Sequence, residues 1–567
     1  MNDSTRLIVA IVSSIGILLG FNIFYDAPKR AEKLAHEQNS QSLEKPNPSS
    51  TNNSGKNKDV INADFTENRE DAIRDSKRIS INSEKIKGSI NLKGAVVDDI
   101  SLKDYHETTD KQSPEIVLLS PSSTKNAFYF FGGWKKSENY DFGKIPDMNT
   151  VWKIEGSTKE LTSSTPITLY WFNESGIKFE RTIKLDDKYL FTITDKVTNL
   201  GNSDVALQPF AEIIRVNPPQ SAGFFILHEG PIGVFNKRLF ETSYEDLQKD
   251  NVSKTFRGGW FGFTDKYWLV SLIPDQNSMA NMVYSSLGAN GYKESFYGSF
   301  SKIVAGASAS YTYNLFAGPK VLRILDTYEN QNGFQRFDLA VDFGWFYFIT
   351  KPLFYVLEFM HQMLGNLGLA ILLLTVLFKI FLYPFANKSY KSMANMKNLQ
   401  PKLEQIKKKY EHDKIRMNQE IMNFYKKEKI NPMGGCLPML IQAPIFFCLY
   451  KVFFVTIEMR HAPFFWWIKD LSAPDPTSLF NLFGLLNWTP PSFLQIGVLP
   501  LIMGGTMVLQ QRLNPQPIDP IQARVMLIMP IMFTYMFASF PAGLVVYWAW
   551  NNVLSILQQW YITKGTK

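Results

Sequence analysis

Residues 367–384 read LGLAILLLTVLFKIFLYP, eighteen positions with a single charge, Lys379. A hydrocarbon core about 30 Å thick takes about 20 apolar residues of helix, so residues 365–384 are expected to cross a bilayer. A lysine at that depth costs ~2.5–3.5 kcal/mol on insertion scales. Two physical readings account for it. Either the cation faces a polar interior, or its stem snorkels: Pro384 is five residues on, about 7 Å of helix, within a lysine's reach.

The next segment is opposite in character. Residues 385–433 hold twelve cations against five carboxylates, a net +7 that nearly equals the +8 of all 567 residues. The positive-inside rule puts this segment in the cytoplasm. Met417, Ile421, Phe424 and Tyr425 recur at helical spacing, and Asp413 stands where a helix cap is needed. Two helices are expected, about 386–409 and 414–429, paired as a hairpin. Lys402, Lys407, Lys408, Lys409, Lys426 and Lys427 are its candidate contacts with lipid headgroups, nascent chains or ribosomal RNA. A merely solvated face is the alternative.

Further apolar runs at 7–24, 434–458, 494–511, 524–540 and 544–562 raise the expected crossings to six. With 385–433 inside, both termini are inside and residues 61–340 outside; Arg512, Arg524, Lys564 and Lys567 then fall inside. Residues 1–25 read as an uncleaved anchor, because no small-x-small site follows them. Their flanking charges, Arg6 before and Lys29, Arg30 and Lys33 after, weakly favour the reverse orientation, but a long following domain translocates largely regardless of charge. Residues 26–60, rich in Ser, Asn, Lys and Gln, form a flexible linker. Residues 341–364 are aromatic and mixed, with Lys351, Glu358, His361 and Pro352, and suit an interfacial amphipathic helix. An outer loop at 459–493 contains an apolar run, 479–488, too short to cross, and 512–523 is an inner loop.

Mean hydropathy of −0.13 conceals two halves. Residues 341–567 hold fifteen of the nineteen methionines, whereas 61–340 are polar and turn-rich. Ile177, Phe179, Ile183 and Leu185 alternate with polar residues at the period of a half-buried strand, with Arg181 breaking the apolar series. Repeats of this style between turn clusters predict an antiparallel β-sandwich. Nothing in it reads as catalytic. Six histidines are scattered without metal-ligand spacing, and Gly132-Gly133 and Gly258-Gly259 read as turns. Asp98-Asp99 reads as a solvated loop pair. Cys436 and Cys448, the only cysteines, lie in one apolar segment, so no disulfide framework is expected.

Polar groups inside the apolar half must face a bundle interior or a wet cavity. Thr375 and Lys379, four apart, share a helix face; Gln442 lies between Pro438 and Pro444; Tyr547, Asn551, Asn552 and Ser555 lie on the last helix. Together they describe a polar recess open to the cytoplasm, with ordinary interhelical hydrogen bonding as the plainer reading. Met526, Met529, Met532 and Met536, spaced three, three and four, fall within about a third of one helix circumference. They form either a re-packable apolar slide for varied helices or plain core filling.

The motifs at this point carry a resemblance. Tyr383-Pro384 through Ala394, Leu399-Gln400-Pro401-Lys402, Asn431-Pro432-Met433-Gly434-Gly435-Cys436-Leu437-Pro438, Ile441-Gln442-Ala443-Pro444-Ile445-Phe446 and Phe540-Pro541-Ala542-Gly543-Leu544 resemble the YidC membrane-protein insertase family. The order of anchor, β domain and five-helix core resembles its Gram-negative type. That type implies a periplasmic all-β supersandwich plus an α-helical transmembrane bundle of six helices with a cytoplasmic helical hairpin, in the bacterial inner membrane. The resemblance implies an insertase and chaperone with no enzymatic step, no cofactor, no metal and no DNA partner. Nascent membrane proteins would enter a cytoplasm-open groove lined by Thr375, Lys379 and Gln442, with Tyr547, Asn551 and the four methionines beside it. The Sec translocon and membrane lipids are the further partners implied. The ribosome is expected to bind weakly or transiently, since the chain stops five residues past Ile562. Where the family usually has a groove arginine this chain has Lys379, which keeps the charge and loses the planar fork. A solute transporter or channel, and a membrane-anchored periplasmic carbohydrate-active enzyme, are the alternatives from other classes.

Overall fold

A computed structural model describes residues 68–219, 227–288, 290–428, 437–486, 488, 490–491, 494–514 and 520–564. The expected anchor at 1–25 and linker at 26–60 lie outside the described residues, as do residues 431–436 of the proline-glycine motif, Cys436 among them. The chain divides into two compact units. One comprises residues 58–515 with 530–567; the other comprises 1–57 with 516–529, of which the start of the helix Pro520–Phe537 is described.

Alternation at 177–185 becomes the strand Ile177–Leu185, whose buried positions include Arg181. It pairs antiparallel with Leu190–Asn199, Phe191 opposite Leu185 and Asn199 opposite Ile177. Asp186 closes the turn between them, accepting from the backbone N–H of Lys188 and Leu190 at 2.9 Å. Among the described residues, such hairpins build a nine-stranded sheet running from Arg238–Glu241 to Lys153–Ile154. Facing it is an eleven-stranded sheet whose centre is Val205–Val216, Phe128–Lys136 and Val96–His106. Phe130 and Phe296 of the larger sheet meet Tyr313 of the smaller one in a single apolar core.

Two readings of this half need correction, and the break at Arg181 gains its reason. Arg181 interrupts the apolar series yet faces inward with it. Fully buried, it makes a two-pronged pair with Asp195 at 2.6 and 3.0 Å and donates to the Ala95 carbonyl at 3.2 Å, while Tyr313 donates to Asp195 at 2.9 Å. Asp98 and Asp99 are buried strand residues, paired with Arg78 and Arg69, and Ser89 donates to Asp99 at 2.6 Å. Gly132-Gly133 lies inside Phe128–Lys136, where a Cβ on Gly132 would come 2.6 Å from the Tyr313 hydroxyl. Gly132 serves sheet-to-sheet approach, and neither glycine forms a turn.

From the last strand, Ser308–Pro319, the chain passes through the helix Leu322–Asn332 into Tyr347–Leu364, the expected interfacial helix. Its charged residues turn back on the β domain. Lys351 reaches Asp326 at 2.8 Å and Asp338 at 2.6 Å, and Glu358 pairs with Arg323 at 2.6 Å. Burial opposes the Lys351 charge, yet the two carboxylates hold its pKa above the ordinary lysine value. Beside them, Phe348 and Phe359 are exposed.

Gly365, at a φ of 68°, ends this helix, and the Asn366 side chain caps the next by accepting from Leu369 N–H at 3.0 Å. Leu367–Phe381 is therefore 15 residues, about 22 Å. At Leu382 the chain bends by 68° into Tyr383–Asn398, with Pro384 in the first turn, where its missing N–H costs nothing. Among the described residues no single helix is long and apolar enough to cross a membrane; this bent pair passes that test together. Helices also occupy the other described apolar runs, at Leu437–Val455, Val498–Leu513, Pro520–Phe537 and Ala542–Lys564.

The basic segment holds three described helices where two were expected. Tyr383–Asn398 stops at Leu399 and Gln400–Lys409 starts there, because Pro401 fits only a first turn. Asp413 caps Lys414–Lys427 as expected, accepting from Arg416 N–H at 3.0 Å. That helix packs on Gln400–Lys409, with Leu403, Ile421 and Tyr425 buried.

Candidate functional site

The helix Ala542–Lys564 organises the site. Tyr547, Asn551 and Ser555 stand four apart along it and so form one stripe. Two neighbouring helices place a polar side chain against that stripe. At one end the Gln442 amide donates to the Tyr547 hydroxyl at 2.5 Å, and Tyr547 is buried. At the other end the Lys379 amine donates to Ser555 Oγ at 2.7 Å, and Ser555 donates to the Asn551 carbonyl at 2.7 Å. Trp550 pins the helices together, its indole N–H donating to the Leu372 carbonyl at 3.2 Å.

Lys379 thus points between helices. Among the described residues it pairs with no carboxylate. It lines a cavity of about 550 Å³ together with Ile380, Tyr383, Leu557 and Tyr561. Thr375, one turn earlier, is buried and gives its hydroxyl to the Ile371 carbonyl at 2.7 Å, so it shares the face of Lys379 and adds little polarity. Asn552 does not belong to the stripe: it donates to Thr506 at 3.1 Å, tying its helix to Val498–Leu513. Thr506 could not be picked out beforehand, because an isolated threonine in an apolar run looks like any other.

The methionines divide. On Pro520–Phe537 the core is filled by Phe533 and Phe537, both against Trp548. Met532 is half-buried and Met536 is 38% exposed, so neither is a core residue; Met526 and Met529 lie on the part of the helix assigned to the other unit. In the hairpin, Lys402, Lys408, Lys409, Lys426 and Lys427 are exposed and Lys407 is half-buried. Lys402 sits 3.9 Å from Glu428, too exposed a pair to add much stability.

Asp326, Glu329 and Asp338 bring three carboxylates within 4.8 Å of one another. Lys351 already supplies the positive charge there, and Tyr347 and Tyr355 donate to Asp338 and Asp326, so the group is an ion-pair network.

Comparison with known proteins joins the two halves. Residues 78–356 match the YidC periplasmic domain and residues 359–567 match the 60Kd inner membrane protein family. The chain is 46% identical to the membrane protein insertase YidC of Rickettsia bellii, covering 100% of both chains. It is 45% identical to that of Methylobacterium nodulans, over 99% of this chain and 95% of the relative. Among solved structures it is similar to an active YidC insertase with the first transmembrane domain resolved, at 18% identity and a TM-score of 0.36, over 86% of this chain and 93% of that one. Full-length identity of this order, with both domain families in their expected order, means that the chain belongs to the YidC family of membrane protein insertases.

Proposed function

We infer that this protein inserts and folds nascent integral membrane proteins, and propose that it does so through the polar stripe between the helices Leu367–Phe381, Leu437–Val455 and Ala542–Lys564. Insertion makes and breaks no covalent bond, and the chain is not an enzyme. Its work is to lower the cost of moving a polar segment through hydrocarbon, several kcal/mol per unpaired polar group. The observation that carries the reading is Lys379: an amine held by Ser555, between helices, with no carboxylate among the described residues to neutralise it. Such a group attracts an acidic residue of an arriving chain by point charge, without the two-pronged capture an arginine offers. The Gln442–Tyr547 pair closes the stripe on the outer side. Met532 and Met536 offer the client helix an adaptable apolar wall, with Met526 and Met529 next along the same helix.

The rest of the reading comes from charge. Six spans, both termini in the cytoplasm and the β domain in the periplasm put the net +7 of residues 385–433 on the inner side. There the lysines of the hairpin receive the emerging client, with headgroups and transient ribosome contact beside it, while the protein works alone or next to the Sec translocon.

Replacing Lys379 tests this. Lys379→Ala is expected to slow insertion of single-span clients with acidic outer segments by about tenfold, the worth of a 1.4 kcal/mol interaction. Lys379→Arg is expected to restore it, and clients with neutral outer segments are expected to be indifferent. Equal insertion by all three forms in depleted cells would remove the cation from the mechanism.

A further inference from the structure

The cavity beside Lys379 has a second property that client capture does not use. Its walls are apolar and face outward: Ile380 is 64% exposed, Leu557 54% and Tyr561 69%. In a membrane protein, side chains of this kind, exposed on the outside of the bundle, meet lipid. The cavity is a seam between the last turns of Leu367–Phe381 and the C-terminal half of Ala542–Lys564, next to the basic helix Tyr383–Asn398. Its lining is almost wholly apolar; the lining residues that carry a polar group are Lys379, whose amine donates to Ser555 at its edge, Gln558, Tyr383 and Tyr561. A slot of about 550 Å³ with greasy walls and, at one edge, a lysine that has no carboxylate partner among the described residues has the chemistry of an amphiphile site with an anionic head.

We infer that this seam holds an anionic phospholipid, its acyl chain against Ile380 and Leu557 and its phosphate oxygens at Lys379 and Gln558. Charge complementarity favours this occupant. Among the described residues Lys379 has no acidic partner, and a half-buried cation without one is costly. A lipid phosphate would supply the missing charge in the absence of a client. The inference goes beyond the proposed groove: it concerns the lipid-facing side of the same lysine, and either reading can fail without the other.

The test uses the full-length chain in nanodiscs of phosphatidylcholine with a minor fraction of phosphatidylglycerol. A photoreactive benzoylphenylalanine replaces Tyr561 at the rim of the seam, or Phe359 on the outward face of another helix as a reference. Adducts at 561 are expected to be enriched in phosphatidylglycerol about fivefold over those at 359, the scale of one lysine acting on an acidic headgroup. Lys379→Gln is expected to abolish the enrichment. Leu557→Trp, which fills the slot, is expected to abolish it with insertion unchanged, and an unaltered melting temperature shows that the variant is folded. Equal lipid composition at both positions overturns the inference, as does enrichment that survives Lys379→Gln. An adduct at 561 to a stalled nascent chain in place of lipid also overturns it and makes the seam a client site. Loss of insertion in Lys379→Gln with lipid enrichment retained would sink this inference alone and leave the groove standing.

Discussion

Buried charges among the described residues of the β domain show two solutions, a partner or neutrality. Arg181 is met by Asp195, Arg215 by both oxygens of Asp265 at 2.8 Å, and Lys320 by Thr264 at 2.9 Å, with burial pulling the Lys320 pKa down to about 8. Glu294 is the other case. It is fully buried on the strand Gly291–Tyr297, and among the described residues neither carboxylate oxygen has a hydrogen-bond partner. Burial pushes its pKa well above the ordinary 4.5, against a smaller pull from Arg215, so the folded state holds a proton that the unfolded chain releases. Stability contributed by this proton is complete below the unfolded value and declines as pH rises toward the folded one, by up to about 1.4 kcal/mol per pH unit. Glu294→Gln is therefore expected to flatten the fall in protection of Gly291–Tyr297 between about pH 5 and pH 8. Hydrogen exchange on the full chain measures it, and identical slopes for the two forms would mean that the carboxyl is ionised in the fold.

Helices in the membrane half approach closely where side chains are small. A Cβ on Gly504 of Val498–Leu513 would lie 2.0 Å from Thr534 Oγ1 of Pro520–Phe537, whose hydroxyl donates to the Pro530 carbonyl at 2.7 Å. The contact needs a glycine on one side and a hydroxyl turned back on its own helix on the other. Gly504→Val is expected to push the two helices apart and cost about 1–3 kcal/mol, the range for overpacking. Thr534→Ala, nearly neutral alone, is expected to recover part of that loss. Thermal unfolding of the four proteins in a double-mutant cycle reads the coupling, and additive effects would show that the two positions do not touch in the membrane.

At the scale of the whole chain, periodicity and charge were legible and partnership was not. Alternation at 177–185, the basic run at 385–433 and the apolar runs each depend on neighbours in sequence: the first became a strand, the second became helical in three pieces where two were expected, and the described apolar runs became helices. Lys379, Gln442, Tyr547 and Ser555 were recognisable because a polar residue in an apolar helix demands a partner. Which partner it finds is set by the fold. Asp98 and Asp99 resembled loop residues until Arg78 and Arg69 arrived from other elements, and Lys351 resembled an interfacial anchor until Asp326 and Asp338 were seen beneath it. That last case bears on how the halves work together. Lys351, Glu358 with Arg323, and Lys451 with Asp342 at 2.7 Å all join the membrane-side helices to the β domain or the segment leaving it. The domain is thus held by partly buried ion pairs as well as by the covalent chain, and exposed pairs alone would hold it weakly. Lys351→Met leaves Asp338, whose side chain is 2% exposed, without its amine and with only the more exposed Arg336 as counter-charge, a change expected to cost up to about 3 kcal/mol. Amide exchange is expected to accelerate in Leu322–Asn332 and Tyr347–Leu364 while the strand Leu190–Asn199 stays protected. Uniform acceleration through both would mean that the junction and the sandwich unfold as one unit, and unchanged exchange would mean that the network contributes nothing to the joint.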